Sequence, residues 1–243
     1  MIKIAIGIQL RKNNSRLPDK ALKTINGKDL IFYMIDNVYK GIEKINKHKH
    51  RNNTECSIFI LVPDQELEFW KDKLKSYKHK YFAIISGSES DVLSRYDKLV
   101  DYDPSYIMRL TGDCPFIPFQ LITKTINTMV NKRLDYLSNV DEPTRTMPDG
   151  FDVEIMSIEA FNWLSENARK NGTDQDLEHV TTYLRANKQA WMNFGMLFYV
   201  YDISDQKYSI DTLEDFELVK KIVLSRFKKE QLARKKGYGI YEY

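Results

Sequence analysis

The sequence predicts an α/β fold in which helices cover both faces of a parallel β-sheet. Short apolar runs of strand length alternate with segments whose apolar residues recur at helical spacing. The strand-like runs are nearly continuous in apolar residues, as expected for strands buried on both faces. The chain of 243 residues is long enough to bury a full core and fits one large α/β domain.

The alternating elements occupy the first two-thirds of the chain. Strands are predicted over residues 2–8, 57–62, 81–85, 105–110 and 135–138. Helices are predicted over residues 30–45, 65–77, 91–100 and 121–131. Asp64, which follows Pro63 at the end of the second strand, is the predicted N-cap of the second helix.

After about residue 140 the pattern changes. The turn-rich stretch DEPTRTMPDG precedes a predicted strand over 151–156, helical stretches over 158–169 and 177–187, and an aromatic strand over 194–201. We expect the aromatic strand to contribute to the core. Another strand is predicted to end at Ile210. Thr212 is then the predicted N-cap of a last helix, which runs to Leu224 and is followed by a basic, solvated stretch over 227–236.

Composition excludes several classes of protein. Hydrophobic residues make up 42% and charged residues 29% of the chain, which is typical of a globular protein. The formal net charge is only +3, so we do not expect a nucleic-acid partner. Cys56 and Cys114 have neither disulfide-framework nor zinc-site spacing, which favours a reducing cytoplasm. We expect no membrane association and no secretory leader, because no segment approaches about 18 uninterrupted apolar residues and no basic region precedes a signal core.

Charged residues follow three of the predicted strands. The loop RKNNSRLPDK after the first strand carries four cations and no glycine. Asp113 follows the fourth strand, and Asp211 follows the strand that ends at Ile210. Ligands of parallel sheets bind at the carboxyl ends of strands. Cations and carboxylates there suit a nucleoside triphosphate with Mg²⁺, which prefers oxygen ligands.

Each of these features also has a purely structural explanation. A basic loop on its own is more often a solvated turn. Asp113 follows Gly112 and would suit a turn, because Asp side chains bond to nearby backbone. Asp211 would suit the position before a helix cap. Their joint occurrence at strand ends favours the nucleotide site over three unrelated turns.

Six sequence blocks resemble those of a known family. QLRKNNSRLPDKAL resembles the Q-A-R-x-x-S-T-R-L-P-G-K-x-L loop of bacterial cytidylyltransferases. The later blocks, in the same order as in the family, are GSESDVLSRY (87–96), RLTGDCP (109–115), PDGFDVE (148–154), EHVT (178–181) and DTLED (211–215). Over residues 2–225 the chain resembles the cytidylyltransferases of spore-coat polysaccharide biosynthesis. The enzymes that activate Kdo and acylneuraminate are more distant relatives.

The resemblance implies a fold and an activity. The fold would be that of the nucleotide-diphospho-sugar transferases, a GT-A, Rossmann-like three-layer sandwich with a mixed, mostly parallel sheet. One domain, 1–243, would comprise a nucleotide-binding half (about 1–140), an acceptor-binding and dimerisation half (about 141–210), and a C-terminal helix and tail (211–243). The enzyme would transfer CMP from CTP to a sugar acid, release pyrophosphate and serve surface glycan synthesis. Mg²⁺ would be the cofactor, and a homodimer is expected.

The resemblance also assigns roles to residues. The catalytic residues would be Arg16, Lys20, Asp113 and Asp211, and the two aspartates would bind Mg²⁺. The nucleotide-binding residues would be Gln9, Arg11, Asn13, Asn14, Ser15, Arg16, Lys20, Gly87, Asp91 and Arg95. The acceptor-binding residues would be Arg109, Asp149, Asp152, Glu154, Glu178 and His179. His179 is a candidate general base, with a structural hydrogen bond as the alternative. His48, His50 and His79 lie in lysine-rich stretches and are predicted to be exposed.

The first loop departs from the family pattern. Asn13 and Asn14 stand where relatives have small residues, and Asp19 replaces a glycine just before Lys20. Glycine reaches positive φ freely, whereas Asn and Asp reach it at some cost. A carboxylate at residue 19 would also repel a triphosphate. Pro118-Phe119 replaces the usual Asp-Pro and removes a helix cap. These departures bear on CTP affinity and on base preference.

Three other functions remain open on the sequence alone. The first is a nucleotidyltransferase whose acceptor is a phosphomonoester, which would give a CDP-linked product. A nucleotide-sugar glycosyltransferase is disfavoured, because it would need no loop that grips pyrophosphate. A non-catalytic nucleotide-binding protein would explain the missing glycine and Asp19. A non-catalytic protein would not explain why Lys20, Asp113 and Asp211 are all present.

Overall fold

The structure is a computed structural model that describes residues 1–13, 15–47, 53–77, 82–141 and 144–235. For residues 229–235 only the backbone is described. Asn14, His48, His50 and His79 lie outside the described residues, so the predictions made for them stay predictions. None of the helices in the described ranges is long and apolar enough to cross a membrane.

Nine strands occur in the described ranges. They are β1 (Ile2–Gln9), β2 (Thr24–Ile25), β3 (Lys28–Asp29), β4 (Thr54–Pro63), β5 (Phe82–Gly87), β6 (Tyr106–Thr111), β7 (Tyr136–Ser138), β8 (Glu154–Ser157) and β9 (Phe194–Met196). Seven of these described strands form one sheet in the order β5-β4-β1-β6-β8-β7-β9, and β2 pairs with β3 in a small hairpin. β8 runs antiparallel to both of its neighbours, and the other pairings in the large sheet are parallel. The predicted mixed, mostly parallel sheet is confirmed.

The helices of the described ranges cover the sheet on both sides. They are α1 (Leu30–Lys47), α2 (Leu67–Lys73), α3 (Leu93–Asp97), α4 (Phe119–Lys132), α5 (Ile158–Asn171), α6 (Asp174–His179), α7 (Thr182–Ala186) and α8 (Leu213–Lys235). Helices α1, α2 and α4 pack in one core cluster, whereas α3, α5, α6 and α7 pack in the other. Helix α8 packs on the loop after β1 and on the β2–β3 hairpin.

The alternation of side chains along β1 explains the two cores. Ile4, Ile6 and Ile8 belong to the first cluster and Ala5 to the second, because successive strand residues point to opposite faces. Gly7 faces α3, where an added Cβ would lie 2.5 Å from a ring carbon of Tyr96. The Tyr96 hydroxyl donates to the Gly7 carbonyl at 3.2 Å, so the missing side chain permits this close contact.

The strand order places a crevice beside β1. The chain adds β4 and β5 on one side of β1 and then returns to add β6 on the other side. Ile4 pairs with Cys56 of β4 and with Tyr106 of β6 in parallel register. Such a reversal of direction opens a crevice at the carboxyl ends of the two flanking strands. In this chain those ends are followed by the basic loop and by Asp113.

Two predicted helices are shorter or interrupted. The segment predicted as a helix over 65–77 is a 3₁₀ turn, Asp64–Glu66, followed by α2, and Asp64 does not act as the side-chain N-cap of α2. The predicted 91–100 helix is helical in α3 and then continues as turns. The stretch 177–187 is broken between α6 and α7 at Val180, whose φ of 65° is incompatible with a right-handed helix.

Two late strand predictions are wrong. The aromatic strand ends at Met196, where the chain leaves β7 and the Tyr199 N–H turns to the Thr146 hydroxyl. Phe198, Val200 and Tyr201 are therefore exposed by 61%, 90% and 81% rather than part of the core. The segment before Asp211 is not a strand. It is an irregular stretch attached to residues 149–150 by a single bridge at Lys207 and by backbone bonds.

The other predicted strands and helices are present within a few residues. The strand predicted over 151–156 begins only at Glu154. The Thr212 hydroxyl accepts the Asp215 N–H at 3.2 Å at the start of α8, as predicted for an N-cap. The last helix extends beyond the predicted end, through Lys235.

Candidate active site

A cleft of about 230 Å³ lies at the carboxyl ends of β1 and β6, where the strand order reverses. Ten residues predicted for the site line it: Gln9, Arg11, Arg16, Lys20, Arg95, Arg109, Asp113, Glu178, His179 and Asp211. Its walls are therefore rich in cations, with carboxylates at a few defined positions. Such a surface suits a polyanionic ligand accompanied by a metal ion.

Lys20 lies between two aspartates on the floor of this cleft. Its Nζ is 3.3 Å from Oδ2 of Asp113 and 3.3 Å from Oδ1 of Asp211. Arg16 reaches the same Asp211 oxygen at 3.2 Å. The Lys20 side chain is only 10% exposed, which fits a charge that is held by two opposite charges. The three strand-end features of the sequence thus meet at one point.

Local structure fixes the direction of Asp211. The carboxylate of Asp215, one turn into α8, accepts the backbone N–H groups of Asp211 and Thr212 at 3.0 Å each. Lys207 donates to the same carboxylate at 3.0 Å. The backbone N–H of Ile210 donates to the Asp113 carbonyl at 3.0 Å, which ties the two aspartate segments together. The DTLED block therefore serves to aim Asp211 across the chain at Asp113.

Asp113 is held in its ionised form. Partial burial raises the pKa of Asp113, but the charge of Lys20 and hydrogen bonds from Thr111 and Lys20 outweigh this effect. The net result is a pKa below the usual value for an aspartate. By contrast, burial and the nearby charge of Asp113 raise the pKa of the adjacent Cys114 thiol well above its usual value. Cys114 therefore remains a thiol beside an anionic ligand group.

The donor set fits a magnesium ion that also binds substrate. Asp113 and Asp211 direct one carboxylate oxygen each toward a common cation, here the Lys20 ammonium. No group of three or more metal-binding side chains occurs within the described ranges. Magnesium is commonly held by one or two carboxylates, with waters and phosphate oxygens as its other ligands. The two aspartates match that arrangement.

Asp19 adopts the conformation for which relatives use glycine. Its φ and ψ are 55° and 26°, in the left-handed region, and its N–H donates to the Lys12 carbonyl at 3.2 Å. Asn13 does not have a positive φ, and Asn14 lies outside the described residues. The nearest cation to the Asp19 carboxylate is Lys12, at 3.9 Å, rather than Arg16 or Lys20. The special position of this loop is thus residue 19.

Glu66 is a site residue that the sequence analysis missed. Its buried carboxylate accepts the backbone N–H groups of Lys12 and Asn13 in the first loop. The signal in the sequence is its position, because Glu66 follows shortly after the end of β4, as Asp113 follows shortly after the end of β6. Glu89, Val92 and Thr111 also line the cleft without having been predicted.

Arg95, one of the residues predicted to bind the nucleotide, donates hydrogen bonds to backbone carbonyls around the turn after β5. Arg95 is 2% exposed, and it donates to the carbonyls of Ser88, Glu89 and Leu61 at 2.7, 2.9 and 3.4 Å. It therefore holds the turn after β5 against the end of β4. Asp91 accepts the Ser94 N–H at 2.9 Å and pairs with a helix α5 arginine. It lies outside the lining of the cleft.

Three other residues predicted to bind nucleotide lie outside the lining. Asn13 is held through its backbone by Glu66, and Ser15 is exposed. Gly87 packs against the Arg95 side chain, where an added Cβ would lie 3.0 Å from Cγ. Gly87 thus makes room for the arginine that supports the turn. Its predicted effect on nucleotide binding would be indirect.

Arg109 is oriented by a buried network. It pairs with Glu154, which is 2% exposed, and its Nε donates to Gln9 Oε1 at 3.1 Å. The Tyr136 hydroxyl donates to Glu154 at 2.5 Å. Burial raises the pKa of Glu154, but Arg109 and hydrogen bonds lower it more, so the carboxylate stays ionised. Arg109 lines the cleft, and Glu154 supports it from below.

Asp149 and Asp152 lie outside the lining of the cleft. Arg145 pairs with Asp152 at 2.6 Å and approaches Asp149 at 3.9 Å. The Ser209 hydroxyl donates to Asp149 at 2.5 Å. Burial raises the pKa of Asp152 above its usual value, despite the opposing effect of Arg145. These contacts fasten the 148–152 segment to the stretch that leads to Asp211.

Glu178 and His179 enter the cleft from the end of α6. Glu178 lies 3.7 Å from Arg11, and both residues line the wall. The next residue, Val180, has φ 65° and ψ −63°, and the Thr181 N–H donates to the His179 carbonyl at 2.7 Å. This is a γ-turn with positive φ, a rare and strained conformation for a β-branched residue. The turn ends α6 where its last two side chains face the cleft.

The geometry agrees with the comparisons with known proteins. The profile of the cytidylyltransferase family matches residues 4–241. The chain belongs to the cytidylyltransferase family. Among its relatives, the spore coat polysaccharide biosynthesis protein SpsF of Bacillus subtilis is 29% identical over 217 residues, which cover 88% of this chain and 83% of SpsF. The 3-deoxy-manno-octulosonate cytidylyltransferase of Rickettsia bellii is 26% identical over 74% of this chain and 70% of the relative.

A solved structure supports the fold of this cytidylyltransferase. A cytidylyltransferase from Leptospira borgpetersenii serovar Hardjo-bovis superposes with a TM-score of 0.77 at 22% identity, and the alignment covers 100% of both chains. The predicted nucleotidyltransferase fold is thereby confirmed. The family membership confirms the predicted resemblance.

Proposed function

We propose that this cytidylyltransferase transfers CMP from CTP to a sugar acid and releases pyrophosphate. The observation that carries the proposal is the meeting of Lys20 with Asp113 and Asp211 at the strand-order reversal, with Arg16 beside them. Family membership supports the nucleotidyl transfer. The Rickettsia bellii relative is named for a sugar acid, 3-deoxy-manno-octulosonate, and this name supports the class of acceptor.

The basic side chains would bind the triphosphate. Arg11, Arg16 and Lys20 line the cleft and carry three positive charges toward it. With the triphosphate bound to these cations, the α-phosphate of CTP would face an acceptor held by the other lining residues, among them Arg109 and His179. Holding two reactants in line in this way removes much of the entropic part of the barrier.

The chemical step exchanges one phosphorus–oxygen bond for another. An acceptor hydroxyl oxygen attacks the α-phosphorus, and the bond from that phosphorus to the oxygen bridging to the β-phosphate breaks. Arg16 and Lys20 stabilise the negative charge that develops on pyrophosphate. His179 lines the cleft and would accept the hydroxyl proton. Mg²⁺ held by Asp113 and Asp211 would offset charge on the phosphoryl oxygens.

We further propose that Arg109 binds the carboxylate of the acceptor. Gln9 and Glu154 fix the guanidinium, which still lines the cleft with 12% of its side chain exposed. A guanidinium held by neighbours is well suited to planar recognition of a carboxylate. The acceptor would then lie on the β6 side of the cleft, as the resemblance implies.

A single assay tests the proposed function. Pyrophosphate release is measured with each nucleoside triphosphate and Mg²⁺ against a panel of 2-keto sugar acids and sugar phosphomonoesters. We expect release with CTP and at least one sugar acid. Release only with phosphomonoesters would contradict the acceptor class. No release with any pair, together with no CTP binding by calorimetry, would favour the non-catalytic alternative.

We also propose that the protein is a homodimer that uses the face formed by Phe198, Val200 and Tyr201. These three side chains are exposed and follow directly on β9, the last strand at that edge of the described sheet. A run of exposed aromatic and branched residues next to a sheet edge is typical of a protein interface. A cytoplasmic location remains a prediction of the sequence.

A further inference from the structure

Glu66 lies in the 3₁₀ turn at the carboxyl end of β4, beneath the loop that follows β1. The residue is only 4% exposed. A buried carboxylate is costly unless hydrogen bonds satisfy its oxygens. The groups that donate hydrogen bonds to Glu66 therefore indicate its structural role.

Two of the three donors belong to the first loop. Oε2 accepts the Lys12 N–H at 2.6 Å and the indole N–H of Trp70 at 2.9 Å. Oε1 accepts the Asn13 N–H at 3.3 Å. The indole comes from α2, so the carboxylate joins the loop to the helix that follows β4. The backbone at Lys12 and Asn13 is thereby fixed at both successive amides.

These bonds change how the loop can hold phosphate. Phosphate-binding loops often use successive backbone N–H groups as anion ligands. In this loop the amides of Lys12 and Asn13 are already bonded to a carboxylate of the protein itself. The neighbouring side chains of Arg11 and Arg16 line the cleft. A loop without glycine is consistent with a grip made by side chains, since its backbone need not approach the ligand closely.

The turn that carries Glu66 also contacts a second residue of the cleft lining, Glu89. The neighbouring Gln65 donates to the carboxylate of Glu89 at 2.5 Å, and Glu89 lines the cleft. Arg95 binds the Glu89 carbonyl and the Leu61 carbonyl near the end of β4. The end of β4 thus connects both sides of the predicted nucleotide pocket.

We propose that Glu66 is a positioning residue that holds the first loop in the shape that binds the nucleotide. It acts through Lys12 and Asn13 and does not itself touch the ligand. The proposal rests on the proposed function, in which this loop binds the triphosphate of CTP. It assigns the grip to the side chains of Arg11, Arg16 and Lys20 instead of the two amides that Glu66 occupies.

The test replaces one carboxylate oxygen. Glu66→Gln keeps the size of the side chain but places an amide N–H₂ against one of the three N–H donors. We expect the KM for CTP to rise about tenfold, with kcat changed less than about twofold, because one buried donor loses its acceptor. If the glutamine keeps its oxygen on Lys12 and Trp70, its N–H₂ faces Asn13, and hydrogen exchange at the Asn13 amide should accelerate by a similar factor. Glu68→Gln, in the same segment but exposed, is the matched control.

A second variant separates loop positioning from general destabilisation. Trp70→Phe removes the third donor and weakens the core, but leaves both loop bonds to Glu66 in place. We expect it to lower the melting temperature without raising the KM for CTP. An equal rise of KM in both variants would overturn the proposal, because the effect would then follow from lost stability.

The amide exchange keeps this test distinct from that of the proposed function. If the native protein turns over CTP but Glu66→Gln leaves both KM and the exchange rates unchanged, Glu66 has no positioning role and the proposed function stands. If the native protein releases no pyrophosphate, the proposed function fails. In that case, faster exchange at the loop amide that loses its acceptor in Glu66→Gln would still support the role of Glu66 in fixing the loop.

Discussion

The Lys20 ammonium lies 3.3 Å from a carboxylate oxygen of Asp113, although 93 residues separate the two in the sequence. A second carboxylate, that of Asp211, meets the same nitrogen from 191 residues away. Two segments that follow strands and the irregular stretch before the last helix are thus joined by one charge.

Replacing Asp113 should remove activity without unfolding the protein. Asp113→Asn keeps the size of the side chain but loses the anionic ligand, while Lys20 keeps Asp211 as a partner. We expect the Mg²⁺-dependent kcat to fall at least about a hundredfold. Pyrophosphate release and thermal unfolding are measured on the same samples. Asp101→Asn, at an exposed position, is the control, and retained activity of Asp113→Asn would contradict the metal assignment.

Removing the charge of Asp19 should improve CTP binding. Asp19→Asn tolerates the left-handed conformation at φ 55° but carries no charge to repel the triphosphate. We expect the KM for CTP to fall about two- to fivefold at low salt, with a smaller effect at high salt. Steady-state kinetics at two ionic strengths measures this. An unchanged KM at low salt would mean that Lys12 already offsets the charge of Asp19.

The same position allows a test of the backbone. Asp19→Ala removes the charge as well. Alanine has no polar side-chain group to form the local hydrogen bonds that help Asp and Asn adopt a left-handed conformation. We expect Asp19→Ala to be less stable than Asp19→Asn by about 1 kcal/mol. Urea denaturation of both variants measures the difference. Equal stabilities would show that the loop relaxes out of the positive φ.

Val180 should be a position at which glycine is better than alanine. Both substitutions remove the two methyl groups of the buried Val180 side chain, at a cost of about 1–3 kcal/mol. Alanine keeps the strain of the positive φ, whereas glycine relieves it. We therefore expect Val180→Gly to exceed Val180→Ala in free energy of unfolding by about 1 kcal/mol. In an ordinary helix the order is reversed, and finding that reversed order here would contradict the strained turn.

Glu154 should stabilise the protein at neutral pH and lose this effect in acid. Its pKa is lower in the folded than in the unfolded protein, because of Arg109 and its hydrogen bonds. The folded state therefore binds fewer protons, and the stabilisation is complete above the unfolded pKa of about 4.3. It is lost as the pH falls below that value and through the folded pKa.

The matching variant is Glu154→Gln. It leaves the buried Arg109 without its anionic partner, which should cost about 3–5 kcal/mol at pH 7. The difference from the native protein should shrink as the pH is lowered below about 4. Chemical denaturation at a series of pH values measures both effects. A difference that does not change with pH would mean that packing, and not charge, makes the contribution of Glu154.

The exposed face after β9 should control association. Introducing a charge by Val200→Asp, where the side chain is 90% exposed, should not disturb the fold. We expect it to shift the protein from dimer to monomer in sedimentation equilibrium, because a charge in the centre of an apolar interface is costly. Leu218→Asp, at an exposed position of α8, is the control. A native protein that is monomeric would exclude the dimer proposal directly.

The amino-acid sequence alone was enough to predict the fold class, the family and part of the active site. The alternation of apolar strands with amphipathic segments indicated the α/β class, because burial on both faces demands continuous apolar strands. The motif blocks indicated the family and the role of Lys20, and the strand-end rule singled out the basic loop and Asp113. Asp211 was also placed at the site, although the strand predicted before it is absent. These signals are local, or they depend on features that every parallel sheet shares.

Only the tertiary structure decided how the site is supported. Glu66 is an ordinary carboxylate in the sequence, and its role appears only because β4 lies beside β1 and buries it under the loop. Asp19 and Val180 likewise adopt positive φ angles, which their own backbone preferences disfavour. The surrounding tertiary structure holds them there. The aromatic strand was predicted to continue past Met196, but strand pairing ends there. Leu197 still joins the core, whereas Phe198, Val200 and Tyr201 are exposed. Long-range neighbours, which local patterns do not encode, thus determine which charges are buried and which apolar side chains are exposed.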